Sequence, residues 1–391
     1  MSPISLPAIY VAGIGLTPVA EHWDRSLRQL ALEAINLARQ DAGGLRPEAL
    51  YVANMLAPAL SGQTHLGVLL ADFAGLRGIE AASFEAAGAS GGTALRQACL
   101  ALAAGAIETA LVVGVEKVTD CIGPSVDAAL AAAADADFEA VQGMTPAAQA
   151  GLLMRRYLHE HRVPPDGLAG FSLTAHENAV PVPHAIYRRS ITLEDYQRAP
   201  KVSDPVNLYD AAPVADGAAA LILTRRRQAV PDAPHVRLAA SAISVTALAL
   251  HDQPDPLTLS AAAESARLAY EQAGVGPQGV RLFELHDLFT VYAALALEAA
   301  GFAERGQGWH LAAQGEIRRA GRIPISTMGG SKARGDAGGA TGVYQVAEVA
   351  LQLQGRAGQA QVPGARVGMA QCLGGAGATA ATHILLREDG R

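Results

Sequence analysis

An α/β fold with largely parallel sheets is what this sequence predicts, and three observations predict it. Short apolar runs closed by glycine alternate with stretches of helical period, the alternation returns in the second half at a fixed offset, and the chain is apolar enough to bury several layers. Its 391 residues are 50% hydrophobic and 17% charged, with a mean hydropathy of +0.18, which excludes global disorder. The length fits two or three domains, or one large duplicated unit. Thirty Lys and Arg against 37 Asp and Glu leave a net charge of −7, so no basic excess supports phosphate-backbone binding, and nucleic acid is excluded as the main partner.

Three cysteines, Cys99, Cys121 and Cys372, stand in no CxxC spacing. They make neither a disulfide framework nor a zinc knuckle, so a reducing, cytoplasmic setting without membrane insertion is expected. The opening apolar stretch has no Lys or Arg before Arg25 and is broken by Gly and Pro; it reads as a first strand and turn, not a signal peptide or a membrane span.

Residues 9–15 form a short glycine-closed apolar run, predicting a buried first strand. The helix after it is carried by Leu27, Leu30, Ala31, Ala34, Ile35 and Ala38, with Asp24 or Ser26 as cap and Gly43 as stop. Further strands are predicted at 50–55, 82–85, 110–116 and 218–224. From about residue 119 to 213 the strand rhythm lapses into Ala-, Asp- and His-rich sequence, the pattern of an insertion that covers a site. The Pro- and Ala-rich stretch at 229–235 is the natural joint, giving a first half at 1–228 and a second at 235–391. At an offset of 231 residues Ala31, Glu33, Leu37, Ala38, Ala42 and Gly43 meet Ala262, Glu264, Leu268, Ala269, Ala273 and Gly274, and both helices run into a strand, the second at 281–285. An internal duplication follows.

Three glycine-rich turns stand out, at 84–98, 328–348 and 368–385. The first two place glycines between a strand and a helix start, where backbone N–H groups and the positive helix end face an anion or a developing oxyanion. None is a GxGxxG or P-loop pattern. His286 and Asp287 lie between an apolar strand and a helix, at a strand's C-terminal edge where α/β proteins place ligands, and the adjacent carboxylate could orient the imidazole.

Taken together these pieces resemble the thiolase superfamily, in particular its archaeal-type and sterol-carrier-protein-type members. The resemblance spans nearly the whole chain and rests on GIGLTP at 13–18, VANML at 52–56, EAAGASGG at 85–92, LVVGVEKVTD at 111–120, HENAV at 176–180, PVADGAAA at 213–220, HDLF at 286–289, GDAGGATG at 335–342 and CLGGAGA at 372–378. It implies two duplicated βαβ-rich halves in a five-layer αβαβα sandwich, with a loop domain inserted in the first half. It also implies a coenzyme A thioester as substrate, no permanently bound cofactor or metal, and assembly as a homodimer or dimer of dimers.

The resemblance breaks at two informative positions. Where the family carries its nucleophilic cysteine this chain has Gly88, and where the family's GHP turn supplies the activating histidine it has Asp336. Cys99, eleven residues along, is three helical turns away and cannot stand in. His286 matches the family's oxyanion histidine, Cys372 the acid/base cysteine of biosynthetic and degradative thiolases, and Gly335, Gly374 and Gly375 keep the turns. His286, Asp336 and Cys372 are therefore expected to converge on a pocket without a nucleophile.

Thiolysis needs a thiolate, and removing a covalent nucleophile removes several orders of magnitude of rate. Retro-aldol cleavage needs no acyl-enzyme, and the expected roles are Asp336 as base, His286 as enolate stabiliser and Cys372 as proton donor. Thiolase-fold aldolases of sterol breakdown also lack the cysteine and work with a small zinc-ribbon/OB-fold partner, but place tyrosines at catalytic positions. Tyr292 and Tyr344 lie near the motifs without occupying the places of His286 or Asp336. The alternatives are a catalytically silent acyl-CoA-binding subunit and direct acyl transfer. His176, Asn178, Arg188, Arg189, Lys332 and Arg334 are the candidates for coenzyme A contacts, the cations suiting its phosphates.

Overall fold

Apolar runs buried on both faces alternate with one-sided helices, and the chain stacks them in layers. The computed structural model describes residues 6–227 and 234–389; the joint expected at 229–235 falls, except for its last two residues, outside the described residues. In the first half β1 (Tyr10–Leu16), α1 (Leu27–Asp41), β2 (Ala49–Ala53), α2 (Leu66–Phe73), β3 (Glu80–Phe84), α3 (Ser90–Ala103) and β4 (Thr109–Glu116) follow in order. Then come α4 (Gly123–Ala131), α5 (Pro146–Glu160), α6 (Ala169–Ala179), α7 (Leu193–Arg198) and the short hairpin β5 (Lys201–Ser203) and β6 (Val206–Asn207). The strand β7 (Gly217–Thr224) returns to the sheet.

The second half runs β8 (His235–Val245), α8 (Ser260–Ala273), β9 (Leu282–Glu284), α9 (Thr290–Ala299), α10 (Gly308–Ala313), α11 (Gly330–Ala333), α12 (Thr341–Gln354), β10 (Val367–Gly374) and β11 (Thr379–Glu388). Nine strands form one sheet in the order β3-β2-β4-β7-β1-β8-β11-β10-β9.

The two halves repeat one ladder pattern. Antiparallel β1–β7 and β7–β4 are matched by antiparallel β8–β11 and β11–β10, and parallel β4–β2 by parallel β10–β9. The parallel β2–β3 pair has its counterpart in a bridge between Phe283 and Ile325. Antiparallel pairs outnumber parallel ones, so the expectation of largely parallel sheets is corrected to a mixed sheet. The reason lies in the connections: β10 turns directly into β11 through residues 375–378, and such a hairpin can only give antiparallel neighbours. In the first half the same place, between β4 and β7, holds α4 to β6.

Layering follows from which faces are apolar. α1 buries Leu27, Leu30, Ala31, Ala34, Ile35 and Ala38 against β1, β4 and β7, closed at its start by Ser26 in a capping box with Gln29. Gly13 and Gly15 let that helix approach: a Cβ on Gly15 would lie 2.1 Å from the Ala34 carbonyl oxygen. α3 and α12 pack on each other and touch strands of both halves, so they form the middle layer, and α8 covers β8 and β11 on the far side. The five-layer expectation holds, with β1 and β8 joined at their edges through Tyr10 and Arg237. No helix among the described residues is long and apolar enough to cross a membrane.

Beneath the second glycine turn lies a buried ionic cluster. Arg334 Nη1 donates to Glu348 Oε2 at 3.0 Å, His184 Nε2 lies 2.9 Å from Glu348 Oε1, and the guanidinium stacks 5.0 Å over the Tyr344 ring. Burial alone would raise the Glu348 pKa, but Arg334 and His184 hold it below the ordinary value. Removing one partner strands a buried charge. Glu348→Ala is therefore expected to lower unfolding stability by about 3–5 kcal/mol, read from urea midpoints, whereas the double change Arg334→Met with Glu348→Leu should lose markedly less.

Candidate active site

The first glycine turn leaves β3 and enters α3 through a sharp bend. Ala87 adopts a left-handed φ of 50°, rare for a residue with a Cβ, and the bend is pinned by Ser90 Oγ, which accepts from Ala86 N at 2.9 Å and donates to Ala87 O at 2.6 Å. Gly88 is thereby thrust against the loop that follows β9. A Cβ built there would lie 2.6 Å from Leu373 O, 3.0 Å from His286 Cε1 and 3.6 Å from His286 Nε2. The imidazole thus packs directly against the bare backbone of Gly88.

A mostly apolar cleft opens at this point. Gly88, His286 and Asp336 line it, along with Gly338 and Gly375 from the later glycine turns and Leu288, Phe289 and Tyr292 at the start of α9. The insertion supplies the remaining wall with Leu130, Ala131, Ala133, Ala134, Pro146 and Gln149, so it covers the site as its sequence suggested.

Asp336 is buried, with Oδ1 accepting from Thr341 Oγ1 at 2.7 Å and its backbone paired to Pro213 and Ala215. Burial pushes its carboxyl up to about 6, partly offset by the Thr341 hydroxyl. Burial, with the Arg334 charge second, pushes His286 down to about 4, so the ring is neutral near pH 7. His286 Nδ1 has no hydrogen-bond partner among the described residues. Asp287 does not orient it, contrary to the expectation from adjacency: Asp287 accepts from Ser326 Oγ at 2.9 Å and Ser331 N at 2.6 Å and so braces the second glycine turn. Successive residues leaving a strand point to opposite sides, which sends the two groups apart.

Cys372 lies behind the first glycine turn, 3.9 Å from Ala89 O, and does not line the cleft. Its thiol is buried and pushed up to about 12 by that burial, and it packs toward Gly92, Gly342 and Ala381; the neighbouring strand residue, Leu373, lines the cleft instead. Three expected groups thus become two. Gly374 allows close contact with the first turn, since a Cβ on it would lie 2.4 Å from Ala86 O. Gly335, at φ 105°, turns the chain against Val19 and does not line the cleft.

The candidate coenzyme A contacts divide. His176, Arg189 and Lys332 line a second cleft with Tyr187, Tyr209 and the segment from Ala211 to Pro213. Lys332 is buried, bonded to Asp210 O, and pushed down to about 8 by burial. Arg188 is exposed outside that lining. Asn178 donates to Ile325 O and Ser326 O, and Arg334 belongs to the buried ion cluster, so these two are structural and interior.

Two contributors escaped sequence reading. Gln149 carried one sign only, a polar residue within the apolar stripe of Ala150, Leu153, Met154 and Tyr157. Glu116 sat unremarked at the end of a strand motif, yet its carboxylate accepts from the Asn54 side chain and from Met55 N, Leu56 N and Gly339 N, tying two cleft walls together.

The chain matches the thiolase N-terminal domain family over residues 9–227 and the thiolase C-terminal domain-like family over 242–387. It is 41% identical to an acetyl-CoA acetyltransferase of Methanothermobacter thermautotrophicus over 97% of this chain and 99% of the relative. It is 28% identical to a steroid side-chain-cleaving aldolase of Thermomonospora curvata over 83% of this chain and 85% of that protein. Among solved structures, an Ltp2-ChsH2(DUF35) aldolase superposes with a TM-score of 0.84 at 24% identity, covering 98% of each chain, a likeness of fold.

Two stability outcomes follow. Because the folded-state pKa of Asp336 lies above the ordinary 3.8, its ionisation opposes folding. Asp336→Asn should raise stability above pH 6, on the order of 2 kcal/mol, and the gain should vanish below pH 4, as read from melting temperatures across that range. Gly88→Ala, forced against Leu373 O, should cost about 1–3 kcal/mol in a denaturant titration.

Proposed function

Because this chain belongs to the thiolase family, we propose that it acts on acyl-CoA thioesters by making or breaking a carbon–carbon bond in the retro-aldol sense, without an acyl-enzyme. One observation carries the reading: a neutral imidazole and a buried carboxyl share a cleft whose nucleophile position is the bare backbone of Gly88. The named aldolase relative of Thermomonospora curvata supports it.

In the cleavage direction the Asp336 carboxylate takes the proton of the C3 hydroxyl. The C3–O bond becomes a carbonyl as the C2–C3 bond breaks, and that electron pair moves onto C2 to give the enolate of the shortened thioester. His286, with its proton on Nε2, donates to the enolate oxygen. The proton held by Asp336 then returns to C2, so the buried Cys372 is not needed. A pKa near 6 leaves Asp336 ionised at neutral pH yet able to carry a proton transiently. The basic second cleft supports recognition of the anionic end of coenzyme A by Arg189 and Lys332.

Direct attack of a carbon nucleophile on an acyl thioester is the second reading, favoured by the named acetyltransferase relative. The deciding experiment incubates the protein with acetyl-CoA, acetoacetyl-CoA and a panel of 3-hydroxyacyl-CoAs, alone and with any co-encoded zinc-ribbon/OB-fold protein. Both products and intact protein mass are followed. An aldehyde or ketone plus a shortened acyl-CoA, with no mass added to the protein, is the expected result. A lengthened acyl-CoA from acetyl-CoA establishes the second reading, and binding without turnover in every combination establishes a silent subunit.

The pH profile of cleavage should fall on the acid side near pH 6. Thr341→Val, by removing a donor to the ionised carboxylate, should move that limb to higher pH. Arg189→Glu should raise KM for the CoA thioester about ten-fold while leaving an N-acetylcysteamine thioester unchanged.

A further inference from the structure

The wall contributed by the insertion carries one group that neither the fold nor the proposed chemistry has used. α5 starts at Pro146 behind Thr145, whose hydroxyl accepts from Ala148 N at 3.2 Å. Its inner stripe packs on α9 through Ala150, Leu153, Met154 and Tyr157. Gln149 stands at the head of that stripe, lines the cleft with His286 and Asp336, and is buried, yet its Nε2 finds no acceptor among the described residues. A buried amide donor left unpaired is destabilising, and a Leu or Met would fill the same space without that penalty. Met55, Leu130, Leu288 and Phe289 of the cleft wall offer no strong acceptor, and the amide nitrogen bonds none of His286, Asp336 and Tyr292, which line the same cleft.

An unpaired donor on the wall of a ligand cleft is complementary to an acceptor on the ligand. His286 serves the thioester oxygen, so Gln149 is left for an oxygen on the acyl chain. We infer that the Gln149 amide donates to the C3 oxygen of the bound acyl group and so selects 3-oxygenated over saturated acyl-CoAs. This rests on the acyl-CoA reading above and deepens it. Gln149 is a specificity residue: it leaves the proton of the C3 hydroxyl to Asp336 and offers its own hydrogen to a lone pair of the same oxygen.

The test measures dissociation constants of 3-hydroxybutyryl-CoA and butyryl-CoA by calorimetry on the full chain, in an Asp336→Asn background so that no turnover consumes ligand. With Gln149 present the hydroxylated ligand should bind about ten-fold more tightly. Gln149→Leu should erase that preference by weakening the hydroxylated ligand alone, and should melt no lower than its parent, because it replaces an unsatisfied amide. Gln149→Asn, a shorter amide, should recover part of the preference. Equal weakening of both ligands, or a preference that survives in Gln149→Leu, overturns the inference. Cleavage assays on the chain with native Asp336 keep the two claims apart. A Gln149-dependent preference without cleavage sinks the retro-aldol reading and leaves the inference standing, and cleavage with no such preference does the reverse.

Discussion

The site depends first on the buried carboxylate of Glu116. At the end of β4 it gathers four donors: the Asn54 amide and Leu56 N on one oxygen, and Met55 N and Gly339 N on the other. Three come from the turn after β2 in the first half and one from the glycine turn ahead of α12 in the second, so one side chain fastens the halves where the cleft opens. Burial pushes its pKa up to about 7, with the four hydrogen bonds pulling the other way. The fit is close enough that a Cβ on Gly338 would touch the carboxylate at 2.8 Å. Met55 and Gly338 are both cleft residues, and their separation is set by this anchor.

On that frame the strand-to-helix bend of the first half is held in a tight, strained conformation beside Gly88. Ala87 is left-handed and Ser90 clasps the bend, and backbone strain of this kind persists only where its surroundings enforce it. Leu373 O and the His286 ring close over Gly88, so any side chain there would require the third glycine-rich turn to move. Within the cleft stand a carboxyl raised toward neutrality and an imidazole held uncharged, both by burial.

The duplication explains why so much is shared and where the halves part. Both build a four-strand ladder of the same directions, but the first interrupts it between β4 and β7 with the helices of the insertion while the second closes it with a tight turn. That asymmetry places an apolar wall over only one of two similar sheet ends, and so makes one cleft from a twofold pattern.

What the sequence determined by itself was local or periodic. Strand and helix placement, the repeat at an offset of 231 residues and the covering insertion were all legible, because side-chain period and short motifs are properties of neighbouring residues. Strand direction was not, since the β10–β11 hairpin sets it through pairing across the sheet. Nor was the fate of individual polar groups. Cys372 and Leu373 are adjacent in sequence, yet the pleat gives the cleft to Leu373 and the interior to Cys372. Arg334 and Lys332 share a turn with Asp336, but the first is consumed by Glu348 and the second faces a different cleft. Which partner a charge or amide meets is decided by residues distant in the chain, and only the folded arrangement brings those together.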